Sequence, residues 1–70
     1  METKTITNSS QVIEIGYDKE SKVFYVTYKN GGKYAYDNVE ADLWEKAQTA
    51  ESTGKFVAAY IKNHSFRKLG

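Results

Sequence analysis

Aromatic and basic side chains are the residues of this sequence best suited to contact a ligand. Five of the six tyrosines lie between residues 17 and 36, where lysines are interleaved with them. Exposed aromatic rings can stack on unpaired nucleobases, and cations beside them can contact phosphates. Tyr25 and Lys29 are the strongest candidates in this region, because strand alternation places both on the face opposite the apolar residues.

Charge is distributed unevenly along the chain. Residues 1–54 contain six lysines and nine acidic residues, whereas residues 55–70 contain four cations and no acidic residue. A basic C-terminal segment favours phosphate contacts, although a solvated, helix-stabilising terminus explains it almost as well. The predicted contacts to RNA or single-stranded nucleic acid in this segment are Lys62, His64, Phe66, Arg67 and Lys68.

A protein-interaction surface is the alternative that the aromatic residues indicate. Tyr25 is predicted to be exposed in either register of the hairpin described below, and Trp44 is large enough to anchor a protein partner. Both also suit ordinary packing, Tyr25 against a cross-strand neighbour and Trp44 in the core. Salt separates the two functions, because phosphate contacts weaken steeply as salt is added.

Catalysis and metal binding have little support in the sequence. His64 is the only histidine and there is no cysteine, so no nucleophile–base pair is indicated. Asp18 and Glu20 flank a turn, but two carboxylates without a third ligand are typical of solvated turns. We therefore expect a non-catalytic protein that uses no metal or cofactor.

Length and composition favour one small cytoplasmic domain spanning residues 1–70. A chain of 70 residues buries a modest core, so most of its large apolar side chains must contribute to that core. The lack of cysteine fits a reducing compartment, and no apolar run indicates a signal peptide or a membrane partner. Residues 1–10 are predicted to form a loose lead-in, and the oligomeric state stays open.

Strand alternation predicts a three-stranded antiparallel meander. The strands are expected at Gln11–Tyr17, Lys22–Lys29 and Lys33–Asp37. Ile13, Ile15 and Tyr17 share one face of the first strand. Asn30-Gly31-Gly32 connects the second and third strands, because its glycines allow the positive φ angles of a tight hairpin.

The hairpin register decides whether Tyr34 and Tyr36 are buried. A two-residue loop places Tyr34 opposite Thr27 and turns both tyrosines outward. A three-residue loop at residues 30–32 places Tyr34 opposite Tyr28 and Tyr36 opposite Val26, on the core face. We favour the second register because it leaves the charged residues of this strand in water, with the tyrosine hydroxyls at the rim.

The hydrophobic period changes after residue 38 and predicts two helices. The first runs from Glu40 to Ala50, and the second follows Gly54 closely and continues to about Asn63. Both are expected to pack on one face of the sheet, which gives an α+β fold with its other face open. The predicted core consists of Phe24, Val26, Tyr28, Leu43, Phe56, Tyr60 and Ile61.

An ordered series of short motifs resembles the KTSC domain, over a region from Ser9 to Leu69. The motifs are Ser9-Ser10, Gly16-Tyr17-Asp18, Lys29-Asn30-Gly31-Gly32, the Tyr34 and Tyr36 pair, and Ala50-Glu51-Ser52 with Gly54-Lys55. That family is named after the C-terminus of some lysyl-tRNA synthetases and also occurs as small stand-alone bacterial and phage proteins. The resemblance implies RNA binding, and a phage-encoded adaptor directed at a host protein is the alternative.

Overall fold

The computed structural model describes all residues, Met1–Gly70. Five antiparallel strands follow one another in chain order across one sheet, and the helices lie between the fourth and fifth strands. The strands are β1 (Glu2–Thr5), β2 (Val12–Asp18), β3 (Val23–Tyr28), β4 (Lys33–Tyr36) and β5 (Phe66–Lys68). The helices are α1 (Ala41–Thr49) and α2 (Thr53–Phe56), which continues directly into a π-helical segment at Val57–Ile61. A bilayer crossing would need a longer and more apolar helix than any of these.

The α+β class and the antiparallel meander are confirmed, but the sheet has five strands rather than three. The two further strands form its edges. Residues 1–10 are not a loose lead-in, because they contain β1, which pairs with β2 from Glu2 to Thr5. The basic tail likewise contains β5, in which Phe66 pairs with Tyr36 of β4. Both edge strands are short and mostly polar, so they lack the apolar alternation that marks a strand in a sequence.

The hairpin between β3 and β4 has the predicted type of loop at a different position. The Gly31 amide donates to the Tyr28 carbonyl at 2.9 Å, and the Tyr28 amide donates to the Gly32 carbonyl at 2.8 Å. The three-residue loop therefore consists of residues 29–31 rather than 30–32. Gly31, with a φ of 92°, supplies the left-handed residue that such a loop requires.

This register keeps Tyr34 and Tyr36 on the core face, as predicted, with different partners. Val26 pairs with Tyr34 and Phe24 pairs with Tyr36. The pairing differs from the predicted one by two residues, and an even shift leaves each side chain on its face. Tyr36 is buried at 4% exposure, whereas Tyr34 is half-buried.

A cluster of 12 buried residues joins one face of the sheet to the helices. The Trp44 ring stacks on Tyr17, with centroids 5.9 Å apart, and meets Phe24 edge-on at 5.7 Å. The buried Tyr17 hydroxyl donates to the Val39 carbonyl at 2.6 Å. The cluster comprises Ile6, Val12, Ile15, Tyr17, Phe24, Val26, Tyr36, Val39, Trp44, Ala47, Val57 and Ile61.

The core prediction is wrong at Tyr60, and the face assigned to Ile13 is also wrong. Tyr60 is 55% exposed and Ile13 is 41% exposed. The chain is π-helical at Tyr60, so the spacing of an ordinary α-helix fails there, and Val57 and Ile61 are the buried residues. A bulge between Val12 and Glu14 turns Val12 inward and Ile13 outward.

Residues before β2 are tied to the start of α2. The Asn8 side-chain amide donates to the carbonyls of Ala50 and Glu51, each at 3.0 Å. The Ser9 hydroxyl accepts hydrogen bonds from the two backbone amides of residues 11 and 12. A Cβ at Gly54 would lie 2.6 Å from the Ser9 Oγ, so this close approach requires glycine.

Candidate nucleic-acid interface

An open groove of about 570 Å³ lies at the end of the sheet where β3, β4 and β5 meet the residues that precede β2. Its lining combines aromatic, polar and cationic side chains and contains no acidic residue. The lining residues are Ser10, Gln11, Tyr28, Lys29, Asn30, Tyr34, Tyr36, Lys62 and Phe66.

Four aromatic rings in this groove pack against one another. Tyr28 meets Tyr34 edge-on with centroids 5.5 Å apart, and Phe66 lies 5.9 Å from both Tyr34 and Tyr36. Strand pairing creates this arrangement, because alternation puts Tyr34 and Tyr36 on one face of β4 and pairing puts Phe66 beside them. Phe66 is 59% exposed and is the ring most available to a ligand.

The hydroxyl groups of Tyr28 and Tyr36 form a pair, with their oxygens 3.1 Å apart. One hydroxyl donates to the other, so the second keeps one O–H for a ligand or water. Burial, together with the hydrogen bond to Tyr36, raises the pKa of Tyr28. Tyr28 therefore stays protonated at neutral pH, and the pair can always donate.

Two lysines supply positive charge to the groove. The Lys62 ammonium lies 5.7 Å from the centroid of the Tyr28 ring, a cation–π distance. The Lys29 backbone amide donates to the Gln11 carbonyl at 2.7 Å, which fixes the start of the loop. Neither lysine takes part in a salt bridge, so both ammonium groups are free to contact an anion.

The structure brings three of the predicted nucleic-acid contacts, Lys29, Lys62 and Phe66, to this groove. Lys68 lies on the same face of β5 as Phe66, opposite Tyr34, and extends the positive charge along the strand. The basic C-terminal segment therefore divides between two sides of the sheet.

The remaining predicted contacts lie outside the groove. Arg67 is on the opposite face of the sheet, where its guanidinium pairs with the Asp37 carboxylate at 3.0 Å. Tyr25 is on that same opposite face and is half-buried. His64 is half-buried, and its Nδ1 lies 3.1 Å from the Ile61 carbonyl at the end of the π-helical segment.

Tyr25 and Trp44 do not share the surface that a protein-interaction site would need. Trp44 is 2% exposed, and its ring packs on Tyr17 and Phe24 between the sheet and α1. The prediction that Trp44 contacts a partner is therefore wrong. Tyr25 remains accessible, on the face that carries no helix.

Sequence reasoning did not assign Tyr28, Tyr34 or Tyr36 to the site, although it placed all three on the core face. The available signal was their residue type. A buried tyrosine needs a partner for its hydroxyl, and three tyrosines at neighbouring core positions indicate a place where the core reaches the surface. No group of histidine and carboxylate side chains is close enough together to hold a metal ion.

Known proteins share this architecture. The family model of the KTSC domain matches residues 8–66. The chain belongs to the KTSC domain family. A KTSC domain protein from Yersinia pestis, known from a crystal structure, is similar with a TM-score of 0.91 and 27% identity, over 99% of this chain and 97% of that one. A protein from Tsukamurella paurometabola is 32% identical over 54 residues, which are 77% of this chain and 81% of the relative. Every residue lining the groove lies inside the matched KTSC region.

Proposed function

We propose that this KTSC domain is a non-catalytic module that binds single-stranded RNA or DNA through the aromatic groove. The observation that carries the proposal is the position of Lys29 and Lys62 around the exposed Phe66 ring, in a groove without acidic side chains. Every nucleobase has a π-face, so an aromatic ring beside cations accepts unpaired bases of any sequence.

A single strand suits this groove better than a duplex. Bases stacked inside a duplex cannot reach an aromatic ring, whereas unpaired bases can turn towards it. Stacking on one ring contributes about 1–3 kcal/mol. Phosphate contacts by Lys29, Lys62 and Lys68 would add a salt-dependent contribution, with a slope of about −2 in a plot of log affinity against log salt.

Fluorescence anisotropy with labelled oligouridine and oligothymidine, at several salt concentrations, tests this proposal. Replacing Lys29 and Lys62 together with glutamine should weaken binding to both oligonucleotides and reduce the salt slope by about 1.4. Lys55→Gln is the matched control, because Lys55 belongs to the same basic segment but does not line the groove.

Two results would overturn the proposal. Binding that is equally strong in the double variant and in Lys55→Gln would move the interface away from the groove. Failure of the unmodified protein to bind either oligonucleotide at low salt would exclude nucleic acid and favour a protein partner.

A further inference from the structure

We infer that the groove holds one unpaired nucleotide, with its base on Phe66, its phosphate at Lys29 and Lys62, and one of its polar atoms at the Tyr28–Tyr36 hydroxyl pair. This inference rests on the proposed function and narrows it. The groove would be a site for one nucleotide, at the end of a strand or looped out of it, rather than a track along many nucleotides.

The exposure of the four rings limits the groove to one base. Tyr36 is 4% exposed, the Lys62 ammonium covers the Tyr28 ring, and Tyr34 is half-buried among its aromatic neighbours. Only Phe66, at 59% exposure, presents most of its ring to solvent. One available ring can stack on one base.

Size and charge support the same limit. The groove volume of about 570 Å³ falls inside the range of about 300–1,000 Å³ that is usual for a small-molecule ligand. The positive charge does not continue past Lys68, because Arg67 lies on the opposite face and is paired with Asp37. A longer strand would therefore leave this surface after about one nucleotide.

The hydroxyl pair gives the inference a distinctive test. Tyr36 is more than nine-tenths buried, and its hydroxyl has no protein partner besides the Tyr28 hydroxyl. Two hydroxyl groups that share one hydrogen bond leave one hydrogen free to donate. Either Tyr→Phe substitution alone still leaves one O–H in the groove, whereas the double substitution leaves none.

The experiment titrates uridine monophosphate, uridine and inorganic phosphate separately into the folded protein, with NMR detection of groove signals. Uridine monophosphate should bind more tightly than either of the other two, because only it has both base and phosphate. Phe66→Leu should weaken its binding by about fivefold or more, and Lys55→Gln should leave it unchanged. The Tyr28→Phe/Tyr36→Phe double variant should bind about two- to tenfold more weakly than either single variant. Circular dichroism checks that each variant is folded.

The inference is overturned if uridine monophosphate binds no better than inorganic phosphate, or if Phe66→Leu does not change its affinity. Equal binding by the double and single tyrosine variants would remove the hydroxyl pair from the site. If oligouridine binds but uridine monophosphate does not, the single-nucleotide site is wrong while the proposed function stands. If neither binds, both are wrong.

Discussion

Replacement of Gly54 by alanine tests the contact between the segment before β2 and the start of α2. A Cβ at position 54 would lie 2.6 Å from the Ser9 Oγ, which is too close for these atoms. The Ser9 side chain must then move. Its hydroxyl would lose the hydrogen bonds that it accepts from the Gln11 amide at 3.2 Å and the Val12 amide at 3.1 Å.

Two opposing effects determine the change in the free energy of unfolding. Loss of two hydrogen bonds destabilises the protein by about 1–3 kcal/mol in total. Alanine is favoured over glycine in a helix by up to about 1 kcal/mol. Gly54→Ala should therefore destabilise the protein by about 1–2 kcal/mol. In a Ser9→Ala background the nearest remaining atom is the Cβ of residue 9 at 3.6 Å, an ordinary contact, so the same change should stabilise the protein.

Urea denaturation of the original protein, both single variants and the double variant measures this reversal of sign as a double-mutant cycle. Ser9→Ala serves as the reference for the hydrogen bonds that are lost without any steric clash. An equal destabilisation by Gly54→Ala in both backgrounds would refute the reasoning, because it would show that the Ser9 hydroxyl is not what alanine displaces.

Three further predictions follow from burial, titration and charge. Phe24→Ala should destabilise the protein by about 3–5 kcal/mol, whereas Tyr60→Ala, at a residue that is 55% exposed, should change the stability by less than about 0.5 kcal/mol; equal losses in urea denaturation would contradict the core assignment. Tyr28 holds its proton above the ordinary pKa of 10.0 because burial and the Tyr36 hydroxyl disfavour its phenolate. The stability that this adds is complete below about pH 10 and is lost as the pH rises further, so Tyr28→Phe should flatten the fall of the thermal midpoint; an unchanged fall would count against this cause. Arg67→Gln should leave binding to single-stranded RNA unchanged, since Arg67 lies on the far face beside Asp37; a loss as large as that of Lys62→Gln would place the site on that face.

The central strands could be predicted from the sequence because their pattern is local. β3 alternates apolar and exposed residues, and the glycines after Tyr28 indicate a hairpin whichever residues form the loop. β1 and β5 could not be predicted in this way. Their residues are exposed, so their position depends on pairing with β2 and β4 rather than on a pattern of their own.

The candidate site was predictable in its residue types but not in its composition. Lys29, Lys62 and Phe66 could be chosen for charge and aromaticity. Their meeting with Tyr34 depends on the pairing of β5 with β4, which joins segments about thirty residues apart and leaves no periodic signal. The same pairing separates Arg67 from the groove, because adjacent residues of a strand face opposite sides.

The most direct test of the central claim is an NMR titration of the isotope-labelled protein with a short single-stranded RNA at low salt. If the groove is the interface, signals of Tyr34, Lys62 and Phe66 should shift in proportion to bound RNA, while those of Tyr25 on the opposite face should not. Shifts confined to the face of Tyr25, or no shift at any RNA concentration, would contradict the account.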